Sequence, residues 1–224
     1  MIIRLAIVLL LIAGIAWGRT NTPPRQEFTP IHSAPWSEKQ ALWYHAMAGP
    51  VPAFAADLAV LNVYNIYAQA MALPVEKRAP WWSALRYELY LGQEMDPYFR
   101  DIYRLTEGLL AYEAQDIEEA ITILSMSETY MKSSDPLLAA AFLAHQELKN
   151  EQLALSLGKR AASQPDSTPL VMGFTTAILK RQSGCRAAIV FLKSRLETMP
   201  EKYQQGIIRR IRKLQEEEEC REGI

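Results

Sequence analysis

Cysteine, histidine and glycine are scarce in this 224-residue chain, which holds two, three and ten of them. Two cysteines are too few for a disulfide scaffold, and Cys185 and Cys220 lack metal-ligand spacing. The glycines never gather into a phosphate-cradling loop, and no serine or cysteine stands in a nucleophile motif. His32 falls in a proline-rich stretch, while His45 and His145 stand alone, with no cysteine or carboxylate at ligand spacing. A charge excess of one sign is missing too. The formal net charge is −1, which removes the electrostatic footprint that nucleic acid or an anionic surface would require. No catalytic, cofactor-binding or metal-binding residue is therefore expected, and neither is a small-molecule substrate. What is present is ordinary globular material: half the residues are hydrophobic and 22% are charged, enough to sustain a core.

Long apolar runs are also absent, except for one. Leu5 to Trp17 is unbroken by charge, with Arg4 before it and Arg19 after it. Counted with Ile2 and Ile3 it spans roughly 20–24 Å as a helix, short of an ordinary membrane span but within reach if Arg4 snorkels. Residues 1–18 are read as an uncleaved N-terminal membrane anchor, with Trp17 and Arg19 at the interface. A cleaved signal peptide, using a small-x-small site at Gly14 to Gly18, is the alternative. The positive flanks are nearly balanced, so they barely decide orientation. Residues 19–35 carry Pro23, Pro24, Pro30 and Pro35 and read as an extended linker.

From residue 36 onward apolar residues recur at helical spacing, and strand-like alternation never competes. Ser37 opens a first short helix with Gln40 placed for a capping box. A helix over about Ala53–Leu73 should hold Leu58, Leu61, Asn62, Ile66 and Met71 near one stripe, and a helix beginning at Pro80 should reach Glu94. Asp96-Pro97, Asp135-Pro136 and Thr168-Pro169 then open three helical hairpins, the expected start signal of a polar cap followed by proline. These divide at Asp116, expected to cap the helix that follows to about Met131, near Asn150 and at Ser183-Gly184. A last helix, about Glu201–Glu219, places Ile207, Ile208, Ile211 and Leu214 on one face and suits an end cap. Its terminal glutamates oppose the helix dipole, which predicts fraying there.

Ala120, Ala154 and Ala188 lie 34 residues apart, each followed by an aliphatic residue: Ile121, Leu155 and Ile189. That interval, and a small residue where two helices must approach closely, mark a stack of helical hairpins. The stretch from Glu107 to Ile121 (EGLLAYEAQDIEEAI) resembles the heart of a tetratricopeptide repeat, with Gly108 and Ala120 as the facing small residues. In the same phase Ala161 and Ser127 match a further small position and Pro200 matches the repeat's closing proline. Phe142 and Thr176 stand where a small residue is expected, and Arg195 also departs. With its apolar leader the chain resembles bacterial membrane-anchored tetratricopeptide proteins. The resemblance implies an all-α, antiparallel helix-hairpin solenoid over 36–200, a capping helix and tail over 201–224, and an adaptor or scaffold role at the bacterial inner membrane. The repeat domain would then be periplasmic. A structural subunit of an envelope assembly, such as a pilus or secretion accessory, is the alternative.

In that phase the groove is lined by Ile102, Leu105, Leu109 and Tyr112, by Ala139, Leu143 and Gln146, and by Leu170, Phe174, Ala177 and Arg181. Aromatic residues crowd one window, including Trp81, Trp82, Tyr87, Tyr90, Tyr98, Phe99 and Tyr103. Trp and Tyr are frequent interface anchors, so Trp81, Trp82, Tyr98, Tyr103, Leu105, Leu109, Tyr112, Leu143 and Phe174 are the candidate contacts for a protein partner. Adjacent Trp81 and Trp82 diverge by about 100° on a helix and cannot share one core. Cys185 and Cys220 are offset by about 9 Å along paired helices, so a bond between them requires the chain end to fold back.

Overall fold

The computed structural model describes Ala46 and residues 51–217, all within the second of two units, residues 32–224. The expected anchor (1–18), the linker (19–35), all but Ala46 of the helix at 37–48, and Cys220 lie outside the described residues. Among the described residues the protein is all-α, and no helix there is long and apolar enough to cross a membrane.

The helices are α1 (Pro52–Met71), α2 (Ala79–Met95), α3 (Arg100–Leu105, continuing as a π-helix over Thr106–Glu113), α4 (Ile117–Tyr130), α5 (Ser134–Gln146), α6 (Glu151–Ala162), α7 (Pro169–Leu196) and α8 (Glu201–Glu216). Proline occupies the first turn of α1, α2 and α7, where its missing N–H has no helical partner to lose. Gly184, at φ 80° and ψ 174°, interrupts α7 and splits it into limbs 169–183 and 185–196, as Ser183-Gly184 anticipates. Just beyond it, Cys185 is disulfide-bonded. Successive helices pack on one another: α1 on α2, α4 on α5, α5 on α6, α6 on α7, and α7 on α8. Connections of a few residues between touching helices make each such pair antiparallel.

The backbone repeats with the alanines. Gln115 and Lys149, 34 residues apart, both enter the left-handed region at φ 57° and 53°. The next N–H groups, of Asp116 and Asn150, reach back six residues to the carbonyls of Leu110 and Ala144 at 3.0 and 2.9 Å, one residue wider than a Schellman closure. Four residues further on, Ala120 and Ala154 donate to the carbonyls of Asp116 and Asn150. Ala120, Ala154 and Ala188 are each 0% exposed, and Ile121, Leu155 and Ile189 follow at 7, 9 and 7%. Ser127 and Ala161 are likewise fully buried. Arg195, the odd residue in that series, donates to Ser163 Oγ at 2.8 Å.

Contacts between hairpins keep a similar interval. Arg160 Nε donates to Glu128 at 2.7 Å, and the rings of Phe142 and Phe174 lie 4.4 Å apart. Asp166, from the α6–α7 connection, accepts from the Ser134 N–H at 2.7 Å and from Ser133 Oγ at 2.8 Å. A carboxylate from the loop that leaves the α5–α6 hairpin thus serves the start of α5, favourably placed against the helix dipole.

Three expectations change. Gly108 is exposed, and a Cβ there would meet nothing within 4 Å. The π-helix explains this: bonding from i to i+5 alters the residue-by-residue rotation, so Leu110 and Ala111 turn inward at 0% exposure instead. Close approach is made by Gly92, where a Cβ would collide with Ile102, and by Gly158, where it would lie 2.8 Å from Thr175 Oγ1. Asp116 makes no side-chain cap to α4; its carboxylate instead pairs with Arg86 of α2 at 2.9 Å. The α1 residues expected on one stripe are split, since Ile66 is buried whereas Leu58, Leu61 and Met71 are exposed. The buried stripe is Ala56, Ala59, Val60, Val63, Ile66 and Ala70.

Filling a helix–helix contact should cost more than adding bulk at the expected but exposed glycine. Ala154→Leu should destabilise by about 1–3 kcal/mol through overpacking, whereas Gly108→Ala should stabilise by about 0.5–1 kcal/mol. Urea unfolding followed by circular dichroism checks both signs.

Candidate partner-binding surface

The candidate contacts separate by burial. Trp81, Tyr103, Leu105 and Leu143 are core residues at 7, 3, 9 and 1% exposure and do not form a docking surface. α2 buries residues around most of its circumference, so a side chain pointing away from α1 still finds neighbours. Tyr103 is fixed by donating its hydroxyl to the Pro97 carbonyl at 2.8 Å, and burial pushes that phenol up to about 12. Trp81 and Trp82 do diverge: Trp82 is half-buried with its ring 6.4 Å from that of Tyr67. Leu109 and Phe174 are half-buried, while Tyr98 and Tyr112 are exposed at 66 and 54%.

Of these exposed and half-buried groups only Phe174 lies on the ridge formed by α5 and α7, where Phe142, His145 and Leu170 join it; Trp82, Tyr98, Leu109 and Tyr112 lie on or beside α2 and α3. Phe142 and Phe174 pack with centroids 4.4 Å apart and ring planes tilted by 45°, and the His145 ring meets Phe174 edge-on at 5.9 Å. His145 Nδ1 lies 2.9 Å from Glu151 without an aligned hydrogen bond, a spacing that becomes an ion pair when the imidazole is protonated. Arg181 Nη2 reaches the same carboxylate at 3.2 Å. Leu170, 62% exposed, extends the apolar edge one turn before Phe174. On α3 the outward row includes Arg104, Gly108 and Tyr112. This ridge offers two half-buried aromatic rings, tilted by 45°, rimmed by ionic groups.

Sequence reasoning placed Phe174, Leu170 and Arg181 on this face but did not single out Phe142 or His145 as contacts. Their spacing to Phe174 across one hairpin, 32 residues for Phe142, was the available signal. A second feature, a cleft of about 180 Å³, opens between α3 and the start of α5, lined by Arg100, Tyr103, Arg104, Glu107, Ser133 and Asp135 among others. It is smaller than the pockets that enclose cofactor-sized ligands, and its two arginines face two carboxylates. Among the described residues, no three His, Cys, Asp or Glu side chains gather where a metal ion could be held.

Two ionisable groups of α2 are perturbed. Burial raises the Tyr90 phenol well above its ordinary value, reinforced by its 2.6 Å bond to Glu119. Glu88, 7% exposed, has Asn62 of α1 as its hydrogen-bond donor at 3.5 Å. Burial pushes the Glu88 carboxyl up to about 7, against the smaller opposing pull of that bond. Neither group lies on the α5–α7 ridge. Comparison with protein-family models, with curated proteins and with solved structures finds no match to the chain.

The Glu88 shift has a definite sign. The folded chain holds a proton that the unfolded chain releases between pH 4.5 and about 7, so stability is greatest below this window and falls as pH rises through it. The loss should approach roughly 3 kcal/mol, and Glu88→Gln should remove most of it. Urea midpoints at pH 5 and pH 8 for the two proteins give the answer.

Proposed function

We propose that this protein is a non-catalytic helical-repeat adaptor of the bacterial cell envelope, tethered to the inner membrane by residues 1–18, with its tetratricopeptide-like solenoid on the periplasmic side. The observation that carries the reading is the ridge on α5 and α7: Phe142, Phe174 and Leu170, with His145, Glu151 and Arg181 beside them. An apolar ridge with an ionic rim suits a partner segment that inserts hydrophobic anchors and pairs its flanks. The 34-residue recurrence of buried alanines and left-handed turns supports the solenoid, since such stacks work by presenting surfaces.

The thiol chemistry supports export. Cys185 is disulfide-bonded, and the only other cysteine in the sequence is Cys220. Bonds of this kind persist in oxidising compartments and are uncommon in the cytosol.

Site-specific photo-crosslinking in intact cells tests the adaptor reading. The full chain carrying a photo-reactive residue at Phe174 should capture the same protein as one carrying it at Leu170, and a probe at Arg212 on α8 should not. Arg181→Glu should reduce the yield several-fold. Equal capture at all three positions, or none at the first two, removes the ridge as the docking surface. Localisation is read separately: alkylation of the unreduced protein, followed by mass measurement, should find neither cysteine modified, and two modified thiols would remove the argument for export.

A further inference from the structure

The second limb of α7 and the end of α8 frame a cleft that the ridge does not include. Its volume is about 290 Å³, and Arg186, Ile189, Val190, Lys193 and Gln215 line it. Arg186, Val190 and Lys193 follow one another at four and three positions, so they share one face of the limb. Val190 is 60% exposed, and Ile189 beside it is 7% exposed. None of these lining residues is acidic. Neither cation pairs with a carboxylate among the described residues. An exposed apolar residue between two unanswered cations complements a short acidic segment that carries an apolar residue of its own.

The chain carries such a segment to this place. Cys185, next to Arg186, is disulfide-bonded, and the only other cysteine of the sequence, Cys220, stands three residues past Glu217. α8 is finished at Glu217, which turns to an extended backbone at φ −65° and ψ 132°, and Lys180 Nζ holds its carboxylate at 2.6 Å. From Lys180 to Cys185 is about 7 Å along α7, and three extended residues beyond Glu217 cover about 10 Å. Residues 218–224 read EECREGI, three glutamates against one arginine.

We propose that residues 221–224 fold back over the second limb of α7 as a strap, anchored by a disulfide between Cys185 and Cys220, with Glu222 between Arg186 and Lys193 and Ile224 against Val190. The lengths agree. Four extended residues reach about 13 Å, and Lys193 lies eight positions past Cys185, about 12 Å along the helix. The covalent tie supplies what the charges alone do not. Exposed ion pairs hold weakly and are screened by salt, so an untethered acidic segment dwells only briefly, whereas a tied one competes at a raised effective concentration. While the bond is intact, the strap keeps the cationic cleft from acidic partners. It stands independently of the ridge on α5 and α7, with which the cleft shares no residue.

The full chain in mild detergent, kept unreduced and carrying a photo-reactive residue at Val190, tests the strap. Digestion without reductant should yield one peptide pair joined through Cys185 and Cys220. Irradiation should give an adduct at the mass of a single chain, mapped to residues 221–224. Reduction with dithiothreitol and alkylation before irradiation should lower the yield several-fold, and so should Glu222→Lys with the disulfide kept. A Cys185 that is free or bonded to another chain, an adduct mapped elsewhere, or a yield that Glu222→Lys leaves unchanged overturns the proposal. Should the probe at Val190 disturb the limb, acetylation of Lys193 in the unsubstituted chain decides. A rate several-fold slower with the bond intact than after reduction supports the strap, and equal rates overturn it.

Discussion

Helices can bring their backbones together only where a side chain is small enough to let them, and the helical body depends on meeting that condition at regular intervals. Ala120, Ala154 and Ala188 meet it with no exposed surface at all. Each is followed by a larger aliphatic residue that fills the space beside the contact, so close approach and cavity filling come from adjacent residues. The turn before each of the first two is equally constrained. A left-handed residue and a six-residue backbone closure fix the exit angle of one helix, and four residues later the alanine makes the contact that angle permits. Gln115 and Lys149 accept an unfavourable backbone region for which glycine is better suited. The closure is therefore enforced by the packing on either side of it.

What the sequence made readable, and what it hid, follows from this. The alanines at fixed intervals, Pro80 and Pro169 at helix starts and the Ser183-Gly184 break are local signals, and the structure places elements where they point, whereas the helix after Asp96-Pro97 begins only at Arg100 and the one at Asp135-Pro136 begins earlier, at Ser134. Gly108 was misleading because helical phase is inferred by counting, and a π-helix over Thr106–Glu113 breaks the count. Gly92 and Gly158, which do sit at close approaches, carry no periodic mark. Burial was the other blind spot. Apolar spacing identifies a stripe but not what lies beyond it, so Trp81, Tyr103, Leu105 and Leu143 read as surface anchors although neighbouring helices enclose them. The same ambiguity ran in reverse on α1, where Leu58 and Leu61 were grouped with the buried Ile66.

Polar contacts between hairpins add register rather than much stability. Arg86 with Asp116, Arg160 with Glu128 and Lys180 with Glu217 are all part-exposed pairs, a class worth about 0–1 kcal/mol each. Their geometric effect is larger, because each joins residues about 30 or more positions apart and is lost if one hairpin slips by a turn on the next. Asp166 shows the economy of the scheme: the loop that leaves a hairpin completes the start of that hairpin's first helix. Glu88 is different. It sits between α1 and α2 with one amide for company, so its cost falls on the same interface that holds α1 to the rest of the protein.

That interface separates the two surfaces this chain presents. The ridge on α5 and α7 belongs to the interior of the series, where each first helix contributes one row and a ligand segment would lie across several. The outer stripe of α1 runs along a single helix and has almost no charge. A surface built from several rows can select among partners by the pattern of aromatic and ionic groups it offers. A single uncharged stripe has little with which to discriminate, except against partners that bring charge. The two surfaces share no helix, so a contact on the stripe leaves the ridge uncovered.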